Sequence, residues 1–219
     1  MRFVAFETSS EWCSVAVFVD GDVDSVEVRA GHRHSELALP MMDQLLSARR
    51  LAPRDLDAVA FGAGPGAFTG LRIACGLAQG LALARNVPVI GISSLEATAH
   101  ESGGNRVVAC IDARMREVYY SALEWQGDRW REVVAAQCLA PHAIELPAGE
   151  GWIGCGSGFG VYGDLGLKRV LPEIHPTAMA VAQLAAPRLQ AGEGVDAAQA
   201  TPIYVRDKVA FTKEELASR

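Results

Sequence analysis

The most informative segment of the sequence is Phe61-Gly62-Ala63-Gly64-Pro65-Gly66-Ala67-Phe68-Thr69-Gly70-Leu71-Arg72. An apolar run at Ala58–Phe61 predicts a short buried strand, and apolar periodicity predicts a helix from about Thr69 to Ala84. Glycines at such a junction let the backbone approach an anion closely, and the first N–H groups of the helix lack partners inside it. Two interpretations follow: a phosphate cradle that includes Gly64 and Gly66, or a tight turn that binds nothing.

Two familiar phosphate-binding fingerprints do not fit this loop. A P-loop ends in Gly-Lys-Ser or Gly-Lys-Thr, whereas Gly70 is followed by Leu71. A dinucleotide fingerprint belongs to a simple β-α-β unit, and Pro65 lies in the middle of the glycines here. A phosphate cradle in this loop would therefore be a non-standard one.

The predicted helix after the loop is rich in small residues. Each interior glycine costs about 1 kcal/mol of helix propensity relative to alanine. Gly76 and Gly80 share one face of the helix, with Ile73, Leu77 and Leu81 beside them. The pattern fits close packing against the chain's own sheet, and it fits equally well a helix–helix seam with a partner or a second copy.

The order of the elements predicts an α/β protein with an actin-like (ribonuclease H-like) fold. Three antiparallel strands, then helix, strand, helix, strand and helix, fill the first hundred residues, and a second strand-rich unit opens after the loop Ser102-Gly103-Gly104-Asn105. We therefore predict two lobes, each a mixed sheet flanked by helices. The predicted limits are 1–104 for the N-terminal lobe, 105–200 for the C-terminal lobe and 201–219 for a polar tail. The predicted elements are strands at Phe3–Phe6, Ser14–Val19, Val23–Val28, Val89–Ile92, Val107–Ile111, Val118–Glu124, Trp130–Gln137 and Trp152–Cys155, and helices at Ser35–Ala48, from Ser93 or Ser94 onward, and at Thr177–Leu189.

Carboxylates and glycines at other strand ends extend the candidate nucleotide site. Actin-like ATPases and sugar kinases hold phosphate in an Asp-x-Gly turn, where Glu7 and Ser9 stand here, and Asp112 closes the first strand of the second unit. Glutamate is one methylene longer than aspartate, and serine cannot bring its backbone as close as glycine, so the altered turns argue against ATP hydrolysis. Ordinary strand ends and loops are the alternative. The candidate nucleotide-binding residues are Glu7, Gly64, Gly66, Asp112, Gly154 and Gly156.

The composition limits the classes of function. Half of the 219 residues are hydrophobic, the formal net charge is -6, and no block of Lys or Arg stands out. A protein that grips nucleic acid alone usually has a basic face, because neutralising phosphates supplies much of the affinity. We therefore expect a partner to hold any nucleic-acid substrate.

Cysteine usage and the apolar windows point to the cytoplasm. The five cysteines are isolated in the sequence and form no CxxC pair, which indicates reduced, buried thiols. An acidic residue, Glu7, comes too early for a signal peptide, and the apolar window Ile73–Ala84 is too short to span a bilayer.

His32 and His34 lack the i, i+4 spacing of helical metal ligands, so we expect them to cap the helix and lie at the surface, with no metal site.

Several segments, spread over nearly the whole chain, match one known family. They are Phe6–Ser9, His34–Glu36 with Leu39–Met41, Gly64–Arg72, Pro88–Glu96, Ile111–Arg114 with Glu117–Tyr120, and Tyr204–Ala210. Through them the chain resembles the TsaB family of bacterial tRNA threonylcarbamoyladenosine biosynthesis proteins, a glycoprotease-like family of the actin-like ATPase superfamily. The Gly-Pro-Gly-x-Phe-Thr-Gly-Leu-Arg run is the most specific match. The chain departs from the family at Glu7, where aspartate is usual, and at Trp12-Cys13.

The resemblance implies a role as the non-catalytic, activating subunit of the complex that modifies the adenosine next to the anticodon in ANN-decoding tRNAs. It implies a heterodimer with TsaD, the homologue that transfers the threonylcarbamoyl group, and a further partner in the ATPase TsaE. It also implies self-dimerisation when the chain is alone, and contact with tRNA only through the complex. No cofactor is expected for this chain itself, while ATP or ADP at the complex interface stays open.

In the family, the two long helices of the N-terminal lobe form the seam with TsaD. Carried over to this sequence, the resemblance implies partner-binding residues at Ser35, Leu39, Met42, Leu46, Ile73, Gly76, Leu77, Gly80 and Leu81. Two alternative functions remain. One is an ATP-binding phosphotransferase or ATPase built on Glu7, Asp112 and the turn at 154–160, and the other is a glycoprotease, for which the sequence has no zinc or nucleophile signature.

Overall fold

A computed structural model describes residues 1–206, which form two five-stranded mixed sheets with helices between and around them. The elements of the first half are β1 (Arg2–Glu7), β2 (Trp12–Val19), β3 (Asp22–Arg29), α1 (His34–Ala48), β4 (Ala58–Gly64), α2 (Phe68–Arg85), β5 (Val89–Ser93) and α3 (Ser94–Glu101). Those of the second half are β6 (Arg106–Arg114), β7 (Glu117–Trp125), β8 (Trp130–Leu139), β9 (Ile153–Cys155), α4 (Ser157–Tyr162), β10 (Val170–Leu171) and α5 (Ala178–Gln190).

The first sheet has the strand order β3-β2-β1-β4-β5. β1, β2 and β3 pair antiparallel, whereas β4 and β5 run parallel to β1. Successive side chains of β1 face opposite sides, so Val4 and Phe6 pack under α1 and α2, while Phe3 and Ala5 pack under α3 and α5. Both faces of the central strands are thereby buried.

The second sheet has the strand order β10-β9-β6-β7-β8. Val107, Ala109 and Ile111 of β6 share a core with α3 and α5, which therefore lie between the two sheets. The other face of β6 packs with β7, α4 and the long segment after β8, where Cys110 and Tyr120 are buried. The predicted two-lobed, actin-like fold is confirmed.

The chain returns to the first sheet after the second one is built. α5, which the sequence analysis grouped with the C-terminal lobe, packs on β1, β2, β4 and β5. Residues 195–206, the strap, then follow the first lobe: Val195 pairs with Val89, and the Ile203 N–H donates to the Ala63 carbonyl oxygen at 2.7 Å. The lobe limits at 104 and 200 stay a prediction. Of the predicted tail, 201–206 belong to the strap and the rest lies outside the described residues.

Two elements were not predicted from the sequence. β10 has only two residues and pairs parallel to β9, and α4 has six residues, two of them glycines. Runs this short carry too few residues to show a hydrophobic period.

Truncation of Leu184 tests the position of α5 between the sheets. Its side chain is 1% exposed within the core that joins the two lobes. We expect Leu184→Ala to lower the free energy of unfolding by about 2–5 kcal/mol in urea denaturation, because buried methyl groups are lost and the neighbours fill the resulting cavity only in part. Leu83→Ala, at a side chain that is 76% exposed, is the matched control and should change it by less than about 0.5 kcal/mol. Equal effects of the two substitutions would contradict this packing.

Candidate functional site

The glycine-rich loop between β4 and α2 lies directly against the turn that follows β1. A Cβ on Gly66 would lie 2.6 Å from the Ser9 carbonyl oxygen, and one on Gly70 would overlap the Thr8 carbonyl oxygen. The contact is hydrogen-bonded in both directions: the Ala67 N–H donates to the Ser9 carbonyl oxygen at 2.7 Å, and Thr8 Oγ1 donates to the Gly70 carbonyl oxygen at 2.7 Å. The chain's own backbone therefore occupies the close approach that a phosphate would need.

Glu7 is fully buried at the end of β1 and joins three elements. Its Oε1 accepts a hydrogen bond from the Ser9 N–H at 2.6 Å, and its Oε2 accepts one from Ser94 Oγ, at the start of α3, at 3.0 Å. Only glycine fits at position 62 of β4, because a Cβ there would overlap the Glu7 carboxylate. Glu7 is thus buried and hydrogen-bonded inside the protein, while its contact with a nucleotide stays a prediction.

Burial raises the pKa of the Glu7 carboxyl above its ordinary value of 4.5, because desolvation outweighs the hydrogen bonds from Ser9 and Ser94, which lower it. The extra methylene that distinguishes glutamate from aspartate carries the carboxylate past the strand end toward α3. Glutamate at this position therefore has a structural role.

The candidate residues of the second lobe are also held by the chain itself. The Asp112 carboxylate accepts a hydrogen bond from the Arg114 N–H at 3.0 Å and pairs with the Arg114 guanidinium at 3.1 Å. A Cβ on Gly156 would overlap the Cys110 carbonyl oxygen, and one on Gly154 would lie 2.5 Å from the Phe159 ring. The glycines allow β9 and α4 to approach β6 closely, without a ligand.

Gly64 has the same kind of explanation. Its φ of +106° lies in the region that favours glycine, and a Cβ would lie 2.9 Å from the Leu71 side chain and 3.1 Å from the Ile203 carbonyl oxygen. The six candidate nucleotide-binding residues thus fall into two groups, one in each lobe, and each group is packed by neighbouring backbone or side chains.

The two long helices α1 and α2 lie side by side on the outer face of the first sheet. Of the residues predicted to bind a partner, those that are exposed or half-buried there are called the docking face, after that predicted role: Ser35, Leu39, Ile73, Gly76, Leu77, Gly80 and Leu81. Leu39 is 41% exposed. Met42 and Leu46, 3% and 1% exposed, differ from these residues: they occupy the inner side of α1 and pack in the core with Val4 and Phe6, and their part in partner binding stays a prediction.

Gly76 and Gly80 differ from the glycines of the loop. Both are exposed, and a Cβ at either position would meet nothing within 4 Å among the described residues. Close packing against the chain's own sheet, one of the two interpretations of this helix, therefore does not explain them. Each leaves the helix less stable by about 1 kcal/mol than alanine would. The result is a smooth groove on α2 bordered by Leu77 and Leu81.

His34 was expected at the surface and is buried instead. It is 7% exposed, and its Nε2 lies 3.0 Å from the Ser10 carbonyl oxygen, which fixes the start of α1 to the turn after β1. It does not cap α1, because it is the first residue of the helix, and the N-cap residue before it, Arg33, makes no side-chain capping hydrogen bond. Across residues 1–206 no three His, Cys, Asp or Glu side chains cluster in a way that could hold a metal ion. Nor does any helix within this range have the length and apolar character to cross a membrane.

The sequence did not predict that the strap contacts α2 and β7. Gln79 Nε2 of α2 donates to the Ala200 carbonyl oxygen at 2.9 Å, and Arg206 pairs with Glu117 of β7 at 2.8 Å. These contacts join residues about a hundred positions apart, and no local pattern predicts them. The only indication was the family match over Tyr204–Ala210, which gave no contact.

The buried carboxyl of Glu7 predicts a specific pH dependence. Because its folded-state pKa is raised, the folded protein retains a proton that the unfolded chain has released above about pH 4.5, and stability falls as the pH rises through this window. Glu7→Gln keeps the shape without the charge. We therefore expect the free energy of unfolding of the variant, relative to wild type, to increase with pH above 4.5 in urea denaturation.

Glu150→Gln makes the same replacement at an exposed side chain and is the matched control. A constant difference between Glu7→Gln and wild type would show that folding does not raise the pKa of the Glu7 carboxyl.

Comparison with known proteins agrees with this architecture. The family model of TsaD, tRNA N6-adenosine threonylcarbamoyltransferase, matches residues 28–153. The solved structure of YeaZ from Pseudomonas aeruginosa superposes with a TM-score of 0.88 at 38% identity, over 93% of this chain and 99% of that one.

Curated relatives match over nearly their full length. TsaB of Escherichia coli is 35% identical over 97% of this chain and 98% of the relative, and TsaB of Haemophilus influenzae is 34% identical over 97% of both. Identity of this extent, together with the shared fold, shows that the chain belongs to the TsaB family of tRNA threonylcarbamoyladenosine biosynthesis proteins.

Proposed function

We propose that this chain is the non-catalytic, activating subunit of the assembly that makes threonylcarbamoyladenosine in ANN-decoding tRNAs, and that it binds TsaD through the docking face. The observation that carries the proposal is the pair of exposed glycines, Gly76 and Gly80, on a helix whose own fold does not need them. A groove without side chains lets a second helix backbone approach closely, and the apolar residues beside it exclude water from the contact.

The partner's own fold supports this assignment. The TsaD family model matches residues 28–153, a range that includes α1 and α2. A TsaD protein would therefore carry an equivalent helix pair, and two such pairs can pack face to face with approximate two-fold symmetry. The same geometry lets two copies of this chain pair through the docking face, because a two-fold interface brings together the same patch on both subunits. Self-association would then compete with TsaD.

The packed glycine turns support a non-catalytic role. Backbone or side-chain atoms of the chain fill the approach to Gly66 and Gly156, where a phosphate or adenosine contact would be made. We therefore assign no cofactor to this chain, and place ATP or ADP, the ATPase TsaE and the transfer chemistry with TsaD and its interface. tRNA would meet this chain within the complex, in the cytoplasm.

Arginine substitutions on α2 test the docking face. Gly76→Arg with Gly80→Arg puts two long side chains into the groove, and we expect binding of TsaD from the same organism to weaken at least tenfold in isothermal titration calorimetry. Self-association, measured by analytical ultracentrifugation, should weaken in parallel.

The matched control is Gly160→Arg, at an exposed glycine of α4 on the other lobe, where a Cβ would meet Pro172 at an ordinary 3.6 Å. It adds the same side chain and should leave TsaD binding unchanged. Full binding by the double α2 variant would refute the docking face.

Nucleotide titration tests the non-catalytic assignment against the ATPase alternative. We expect the isolated chain to give no saturable heat with Mg²⁺-ATP up to millimolar concentration and no phosphate release, because the turns at Gly66 and Gly156 are filled by the chain's own atoms. Mg²⁺-dependent turnover that is lost in Asp112→Ala would instead favour the ATPase.

A further inference from the structure

The hairpin between β6 and β7 ends in three consecutive residues with left-handed backbone conformations. Arg114, Met115 and Arg116 have φ values of 60°, 56° and 61°. Residues with side chains disfavour this region, and a two-residue hairpin loop is the place where Asn-Gly is preferred. Local preference therefore does not explain a tip made of arginine and methionine. The side chains themselves are exposed, that of Arg114 to 87%.

An aromatic platform lies at the first turn of α2. The rings of Phe68 and Tyr204 have centroids 5.9 Å apart, and both side chains are exposed. The Arg72 guanidinium lies 3.7 Å above the Phe68 ring centroid, and its Nε donates to the Tyr204 hydroxyl at 3.4 Å. Aromatic rings with an arginine stacked on them offer flat apolar surface and positive charge together.

The strap brings the tip and the platform next to each other. Arg206 donates to the Ala113 carbonyl oxygen at 2.9 Å and to Glu117 at 2.8 Å, so it fixes the base of the hairpin. Tyr204, only two residues earlier, belongs to the platform. We call the combined surface the arginine rim: Phe68, Arg72, Arg114, Met115, Arg116 and Tyr204.

The charges of the rim differ from those of the chain as a whole. The chain carries a net charge of -6, yet three of the six residues that define the rim are arginines and none of the six is acidic. Asp112 is engaged by Arg114, and Glu117 is engaged by Arg206. Within residues 1–206, neither Arg72 nor Arg116 forms an ion pair. The surface therefore offers positive charge to an anionic ligand.

We propose that the arginine rim binds the single-stranded loop of the RNA substrate directly. Unpaired bases stack on exposed aromatic rings and arginine planes, and arginines bind the phosphates between them. The proposal rests on the proposed function, since the RNA reaches the rim within the complex with TsaD. Arg72 lies one residue before Ile73 of the docking face, so RNA on the rim would continue onto the docked partner.

A hairpin variant that favours the observed backbone tests the proposal. Arg114→Asn, Met115→Asn and Arg116→Gly together remove both tip arginines and supply residues that accept positive φ. The thermal midpoint should therefore be equal to or above that of wild type, which excludes unfolding as a cause of lost binding. The probe is a fluorescein-labelled anticodon stem-loop RNA of an ANN-decoding tRNA, titrated with the complex of this chain and TsaD.

We expect fluorescence anisotropy to show about tenfold weaker RNA binding by the variant complex at moderate salt. The slope of log K against log salt should become shallower by about 1.4, since each lost phosphate contact on a single strand contributes about 0.7. Arg129→Ser, which removes an exposed arginine from the hairpin at the other end of β7, is the matched control and should change neither.

Calorimetry with TsaD, run on the same proteins, separates this proposal from the proposed function. Intact assembly with weakened RNA binding supports the rim as an RNA site. Intact assembly with RNA binding and salt slope unchanged overturns the rim and leaves the docking face standing. Loss of assembly with TsaD or TsaE in the hairpin variant also overturns it, because the rim is then a protein contact. If the wild-type chain does not bind TsaD, the proposed function fails first, and the RNA proposal with it.

Discussion

The turn after β1 rests, backbone on backbone, on the glycine loop before α2, and much of the molecule depends on this contact. It requires glycine at positions 66 and 70, and it is closed by hydrogen bonds between Thr8, Ser9 and the loop. The buried carboxylate of Glu7 ties the same turn to α3. The first turn of α2 is therefore held from two sides, so the direction in which the helix leaves the sheet is fixed. The turn and the loop thus form a closely packed, hydrogen-bonded contact at the start of α2.

Glycine serves two opposite purposes within one short stretch. At Gly66 and Gly70, a side chain would collide with the chain's own backbone, so the fold itself requires glycine. At Gly76 and Gly80, a side chain would meet open space, so the fold would be more stable with alanine. Sequence alone does not separate these cases, because both appear as glycine in a strand–loop–helix segment. The structure separates them by what surrounds each Cα.

The sequence predicted those parts of the fold that depend on local periodicity. The helix expected at Thr69–Ala84 is found at Phe68–Arg85, and β1 to β5 appear in the expected order. Contacts between residues far apart in the chain leave no periodic pattern in the sequence, so they were not predicted. Examples are the contacts of Thr8 with Gly70, Glu7 with Ser94, and Arg206 with Glu117. The same limit explains Met42 and Leu46, since the 3.6-residue period shows that a helix is amphipathic, but not which apolar residues at its edges turn inward.

The strap connects the glycine loop of the first lobe with the hairpin of the second lobe. It leaves α5, passes along α2 through Gln79, covers Gly64 with the Ile203 carbonyl oxygen, and reaches the second lobe at Glu117. The segment that covers Gly64 is thus the one that places Tyr204 beside Phe68 and Arg206 beside the base of the β6–β7 hairpin. Both contacts follow from a single path of the chain, so the glycine loop of the first lobe and the hairpin of the second are joined by the same few residues.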